Sequence, residues 1–377
     1  MNEPTQASAA APRPSLLPPE RRAVAGLAAV ASVRMLGLFM LMPVLALHAD
    51  GLRGATAFLV GVSVGAYGIT QALLQIPFGV ASDRFGRRPV LLVGLAIFAL
   101  GGALAAFGDH IGWVIAGRIV QGAGAVSAVL NALLADLTRA EVRTRAQAFF
   151  GASIGLSFML SLMLGPVVAG RIGVDGLFAA TSVLAAVAFL GVALFTPSAA
   201  PKGPARASGG WVEVLKDASL WGLYFGIFAL HLVIAAAFVA LPFVLRDRLG
   251  WAPERHWLIY LVTVTLSILT TVGLIRAVER SATPGHIVAA AVACLVLAQV
   301  AFVAGGASLA VIGGGLVLMF TGINFLEARL PAEVTLTAGE DRRGAALGVY
   351  ASCQFLGVFA GGASAGALLG GALYTGV

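Results

Sequence analysis

The alternation of apolar and polar positions along this chain has neither the period of two of a half-buried strand nor the one-sided stripe of a soluble helix. Apolar stretches of roughly 20 residues, long enough to cross a bilayer, recur over almost the whole length. Runs such as Val90 to Phe107 and Ile287 to Val303 are apolar all round, and charges gather in short segments between such runs. The breaks predict helices near 24–48, 57–80, 89–107, 111–134, 146–170 and 176–195, then near 219–245, 257–277, 286–304, 308–328 and 344–370. That makes eleven spans, and Gly371 to Val377 stand where a twelfth would begin, so the expected bundle reads as truncated. A membrane β-barrel is excluded, because it would show short segments of alternating polarity.

Residues 1–20, rich in Ala, Pro and polar groups, read as a disordered tail. The run from Arg21-Arg22 to about His48 exceeds the roughly 7–15 apolar residues of a secretory signal, so it reads as the first span. Pro197 to Gly210, a stretch of Pro, Ser, Gly and Lys, reads as a flexible linker. The expected organisation is therefore a tail (1–20), an N-terminal membrane half (21–196), a cytoplasmic linker (197–217) and a C-terminal half with five spans (218–377). Shifting the first half by about 197 residues sets Arg145 near Arg342, Gly151 on Gly348, Gly165 on Gly362, Asp136 on Glu333 and Arg34 on His231. Parallel halves of this kind suit alternating access around a central cavity.

Composition agrees with lipid as the main solvent: of 377 residues 59% are hydrophobic and only 11% charged. The net charge of +7 is spread over many short loops with no aromatic-studded basic stripe, which argues against nucleic acid. Topology accounts for it better. With the N-terminus inside, 17 of the 24 basic residues fall in cytoplasmic segments, the bias that orients a bacterial inner-membrane protein. Cys294 and Cys353 lie within apolar runs and read as packing, not as a disulfide or metal site.

Between the second and third spans stands Gly79-Val80-Ala81-Ser82-Asp83-Arg84-Phe85-Gly86-Arg87-Arg88-Pro89. One carboxylate among three guanidinium groups at a membrane face can pair across two halves and hold one conformation. This loop resembles the G-x-x-x-D-R-x-G-R-R signature of the major facilitator superfamily. Arg118-Ile119-Val120-Gln121-Gly122 in the fourth span resembles the R-x-x-Q-G pattern of its drug:proton antiporter branch. Gly165-Pro166 with Gly170 in the fifth resembles the antiporter motif G-x-x-x-G-P-x-x-G-G, with Ser161 and Ala169 in place of two glycines. Arg34 to Phe39 with Pro43, Asn324 to Ala328 with Leu330-Pro331, and Gly348-Val349-Tyr350 with Gln354 and Gly357 are similar to the YajR-like group within that branch. The resemblance implies an all-α bundle of two pseudo-symmetric six-helix halves. It also implies a relay of Asp83, Arg87 and Asp136 at the cytoplasmic face, with Asp83 facing the start of the eleventh helix near Arg343 to Ala346. The implied activity is proton-driven export of small amphipathic or drug-like compounds by a monomer, with the proton gradient as energy source and no cofactor. A symporter or uniporter for a sugar or other metabolite carries the same loop and remains the alternative.

An Arg inside a span is costly unless it meets a partner or a wet cavity; for Arg118 the alternative is snorkelling to the surface. No Asp or Glu falls at an expected bilayer midplane, which weakens a simple buried-acid mechanism. Glu327, toward the end of the tenth span, is the best proton candidate, with Asn324 one turn earlier; the competing reading is a helix-end carboxylate paired with Arg329. His231 is the only histidine within a span and either shuttles protons or bonds a nearby carbonyl. Arg34 sets a positive potential in the cavity. Phe39, Met42, Tyr67, Gln71, Gln75, Phe158, Phe238, Tyr350 and Gln354 are candidate cavity residues. The pairs Gly61/Gly65, Gly151/Gly155, Gly357/Gly361 and Gly362/Gly366 have the spacing of close helix crossings. A membrane enzyme would need a nucleophile with its base or clustered ligands, and the five dispersed histidines offer neither.

Overall fold

In a bilayer every backbone polar group must be satisfied within the protein, so long apolar segments fold as helices. The computed structural model describes residues 15–195, 210–280, 284–304 and 308–374. Residues 1–14 of the expected tail, residues 197–209 of the expected linker and residues 375–377 lie outside them. The elements in order are α1 (Pro18–Met40), α2 (Leu45–Asp50), α3 (Ala57–Phe85), α4 (Arg87–Ala106), α5 (Ile111–Ala123), α6 (Ser127–Asp136), α7 (Ala140–Phe195), α8 (Gly210–Lys216), α9 (Ala218–Phe243), α10 (His256–Arg280), α11 (Pro284–Ala304) and α12 (Leu309–Tyr374). A π-helical turn, Val244–Arg248, continues α9, and a short 3-10 turn, Pro253–Arg255, precedes α10. The β structure among the described residues is a single bridge between Arg53 and His110.

Two long helices each cross twice. α7 reverses at Gly173 and α12 at Gly339, with nearly the same backbone angles (φ 73, ψ 172 and φ 72, ψ 173). With these reversals the described residues make eleven crossings, the number expected. Boundaries differ where side chains can extend a helix past its apolar run. The tenth crossing, expected at 308–328, runs through Leu309–Gly339, 31 residues. The first span breaks at Leu41 to Val44, around Pro43, and the fourth at Gly124 to Val126. The carbonyl that the second break frees at Gly124 accepts a bond from Arg34 Nη2 at 3.5 Å.

Buried side chains sort into four cores, one mainly in the C-terminal half and three mainly in the N-terminal half. The first unites α8, α9, α10, α11 and α12, from Val214 and Leu220 to Val349 and Tyr350, with Leu162 of α7 added. The others unite α1 to α7, and they reach the second half at Val239, Ala365 and Phe355. The halves meet where α3 lies against the second arm of α12. There the crossing is backbone on backbone: a Cβ on Gly61 would stand 2.1 Å from the Gly362 carbonyl, and one on Gly362 would stand 2.6 Å from the Gly61 carbonyl. Gly65 and Gly366 are also confined, with a Cβ at 2.8 Å from the Phe359 carbonyl and 2.5 Å from the Ala57 carbonyl respectively, whereas Gly151 and Gly155, expected at a similar crossing, have open space around them. The seam runs from mid-depth, where Ser352 Oγ donates to the Ala72 carbonyl at 3.0 Å, to the end at which α7 turns on Gly173. At that end Gly170 of α7 abuts Glu254 of the opposite half.

Candidate functional site

Three groups of charged side chains lie within the bundle. The first is the turn between α3 and α4. Gly86 has φ 93, a conformation that any side chain would strain, and it lets α4 start immediately after α3 ends. The turn thus sets Arg87 beside Asp83, with which it pairs; Arg87 also bonds Ser82 Oγ at 2.6 Å and Asp136 at 3.2 Å. Arg88 reaches the Ala193 carbonyl near the end of α7, Arg84 covers the Phe85 ring at 5.3 Å, and Gly79 faces Ala128 of α6. Asp83, Arg87 and Asp136 therefore form one cluster within the N-terminal half. At this end, the Gly86 end, the Arg87–Asp83, Arg87–Asp136, Arg139–Glu20 and Arg342–Asp217 pairs each lie within one half.

The second group is a pair of buried guanidiniums. Arg34 is 1% exposed and is held by Tyr67 Oη at 2.9 Å, Ser127 Oγ at 3.3 Å and Gln71 Oε1 at 3.5 Å, with the Phe98 ring beneath it. Gln71 in turn donates to Gln75 at 2.8 Å. Arg118, 3% exposed, bonds Gln121 Oε1 and the Val64 carbonyl, both at 3.2 Å, and lies over the other face of this network, 5.2 Å from the Tyr67 ring centre. Its burial rules out snorkelling. Tyr67 links both guanidiniums and touches Phe355 of the other half edge-on, at 5.9 Å between ring centres.

The third group is in the C-terminal half. Because the tenth crossing is longer than expected, Glu327 is not at its end but close to the middle of Leu309–Gly339. Glu327 thus lies inside the helix, level with His231 of α9, and not at the helix end where the apolar run placed it. His231 Nε2 stands 3.2 Å from Glu327 Oε1 and 2.8 Å from the Gln354 amide nitrogen, while its Nδ1 contacts the Ile227 carbonyl at 3.3 Å. Arg329, the alternative partner, is engaged by Glu333, and Asn324 donates to Ser267 on α10 at 3.2 Å instead of turning to Glu327. The Glu327 side chain is 37% exposed and that of His231 13%, so the acid faces open space and the imidazole backs it.

Of the remaining expected residues, Gly165 packs its Cα against the Met40 carbonyl, and Pro166 sits inside unbroken helix. Phe39 and Phe158 meet edge to face at 4.9 Å, and Phe158 and Met42 pack on the core that joins Leu162 to the opposite half. Phe238 is fully enclosed beside Tyr260 and does not line open space.

Two further clusters escape a reading of the sequence. Glu20 accepts from Leu17 N at 2.8 Å and from Arg139 N, Nε and Nη2 at 3.0, 2.9 and 3.1 Å, so one buried carboxylate fastens the start of α1 to the start of α7. Asp217 does the same for the other half: it caps α9 through Ser219 N at 3.1 Å and receives Arg342 Nη1 at 3.0 Å. The Ser219 bonds first, and then the Arg342 guanidinium, hold its carboxyl below the usual range. An acid in the first turn of a helix is a readable signal, but an arginine more than a hundred positions away is not.

Two bundles of membrane-crossing helices, in contact through α3 with α12 and through α7 with α10 and enclosing buried ionisable groups, define a membrane transporter. The chain belongs to the Major Facilitator Superfamily, whose family model matches residues 27–374. It is 38% identical to the inner membrane transport protein YajR of Escherichia coli (strain K12) over 355 residues, 93% of this chain and 78% of that protein. Over 114 residues, 30% of this chain and 27% of the other, it is 39% identical to the class B tetracycline resistance protein of Escherichia coli. The human organic anion transporter MFSD10 shares the fold, with a TM-score of 0.68 at 23% identity over 94% of this chain and 95% of that one. As a member of this family the protein is a transporter of small molecules and not an enzyme.

Proposed function

We propose that the protein exports small amphipathic compounds in exchange for protons, as a monomer, with the Gly86 end in the cytoplasm. The observation that carries this reading is the His231–Glu327 pair, an acid and a base in contact at mid-depth with the acid turned toward open space. With Nδ1–H donated to the Ile227 carbonyl, Nε2 is an acceptor for which the Gln354 amide at 2.8 Å and a protonated Glu327 at 3.2 Å compete, so a proton on the Glu327 carboxyl reaches the imidazole when the Gln354 N–H yields. Loss of that proton leaves a carboxylate that a substrate can engage, so proton and substrate alternate at Glu327. Each occupant then biases which half-rotation is favoured. Asp83, Arg87 and Asp136 act as the conformational relay. In a bundle sealed at the Gly173 end the cluster stays within its own half, and on closure of the Gly86 end Asp83 turns to the positive N-terminus of the helix that follows Gly339. The excess of basic residues on the Gly86 side supports the orientation. The partial similarity to a tetracycline resistance protein supports export of drug-like compounds.

Everted membrane vesicles with an acid interior test the reading. Addition of a transported compound should make protons leave the lumen, and Glu327→Gln should remove this response and flatten the pH profile of transport. An unchanged pH profile in Glu327→Gln eliminates Glu327 as the carrier, and proton movement in the same direction as the compound replaces exchange by symport.

A further inference from the structure

We propose that Tyr350 and Glu327 form a two-point subsite for a substrate that presents an N–H donor next to an acceptor oxygen, an inference that rests on the exporter reading. Tyr350 lies one helical turn before Gln354, so the two side chains share a face. Gln354 is committed to His231. The Tyr350 hydroxyl is buried in a residue only 6% exposed, has no hydrogen-bond partner among the described residues, and lies one turn from the Gln354 end of the Gln354–His231–Glu327 chain. Buried hydroxyls are nearly always satisfied, so one left open beside a carboxylate points to a partner present in only part of the cycle. Tyr224 and Tyr260 also carry unpartnered buried hydroxyls, but Tyr260 faces Phe238 in the closed core and Tyr224 packs on Trp221.

The carboxylate side of the subsite is equally incomplete. Of the two Glu327 oxygens, His231 takes Oε1, and Asn324, one turn away, is tied to Ser267. Oε2 is therefore left to accept a bond while Tyr350 is left to donate one. Phe158 and Met42, packed on the core that joins Leu162 to the opposite half, with Phe39 edge-on to Phe158, supply apolar surface on the N-terminal half. The matching ligand has an aromatic or aliphatic body and an amine or amide N–H adjacent to a hydroxyl, ether or carbonyl oxygen. Its N–H donates to Glu327, and the Tyr350 hydroxyl donates to its oxygen.

The test is calorimetric binding to the purified protein of three probes: naphthylethanolamine, its methyl ether, and naphthylethylamine, which lacks the oxygen. The two oxygen-bearing amines should bind about fivefold to tenfold more tightly than naphthylethylamine, the worth of one hydrogen bond. Tyr350→Phe, which keeps the ring, should abolish that ratio and leave the affinity for naphthylethylamine and the thermal midpoint unchanged. Glu327→Gln should weaken all three. A ratio near one in the wild-type protein, a ratio that survives Tyr350→Phe, or no binding of any probe overturns the subsite. If Tyr350→Phe alters proton exchange but not the ratio, the hydroxyl serves Glu327 directly and the inference falls while the exporter reading stands. If binding depends on neither Glu327 nor pH, the exporter reading falls as well.

Discussion

The seam between α3 and α12 offers the sharpest test of how the halves move. In Gly61→Ala the added carbon would lie 2.1 Å from the Gly362 carbonyl oxygen and 2.7 Å from the Gly366 backbone, where ordinary contact begins at 3.4 Å. The helices must separate by about 1.3 Å at this level. Ala72, whose carbonyl accepts from Ser352, marks the mid-depth pivot. It lies about 16 Å along the helix from Gly61, so the wedge corresponds to a rotation of about 4–5°. Overpacking of this kind costs about 1–3 kcal/mol and loads only the sealed form. The improved helix propensity of alanine is present in both forms and cancels. The ratio of unsealed to sealed protein should therefore rise about 5- to 150-fold. Spin labels on the exposed positions Arg171 and Arg248, one in each half at the Gly173 end, would report a longer distance in Gly61→Ala, after replacement of Cys294 and Cys353. Gly155→Ala has nothing within 4 Å of its new methyl group and should leave the distances alone. Identical distance distributions in folded Gly61→Ala and the parent would refute the account.

Asp136→Asn removes the charge that holds Arg87 Nε, and Asp83→Asn removes the other partner of the same guanidinium. Both should abolish transport with membrane expression retained, and normal transport by Asp83→Asn would remove the relay. Asp217 has its carboxyl lowered by Ser219 and Arg342. Such a group contributes stability that is complete above the ordinary value of about 3.9 and is lost as pH falls through the lowered one. The thermal midpoint should therefore drop below about pH 4, and Asp217→Asn should flatten that limb; an unaltered acid limb would show that the Asp217 pairing carries no stability.

The crossings were legible because lipid imposes a single length scale and a single backbone solution. What hydropathy missed were the ends. The tenth helix continues beyond its apolar run through Arg329, Glu333 and Gly339, since charged side chains that pair on one helix face extend it without an apolar signal. That misplaced end moved Glu327 from the rim to the middle of the helix. The signature turn could be read locally, because Asp83, Gly86 and Arg87 stand within five positions of one another. The His231–Glu327–Gln354 contact joins three helices at wide separations, and one sequence gives residue types without their facing. The glycine spacings were ambiguous for the same reason: Gly61/Gly65 and Gly151/Gly155 look alike on paper, and only the neighbour across the gap distinguishes them.

Glu20 and Asp217 stand 197 positions apart, the offset that superposes the two halves. Each buckles the entry of its half's first helix to an arginine at the entry of the fifth. Bolted internally in this matched way, the halves behave as two stiff leaves, and compliance is concentrated along their glycine-lined joint. A change at that joint alters the swing of the whole molecule.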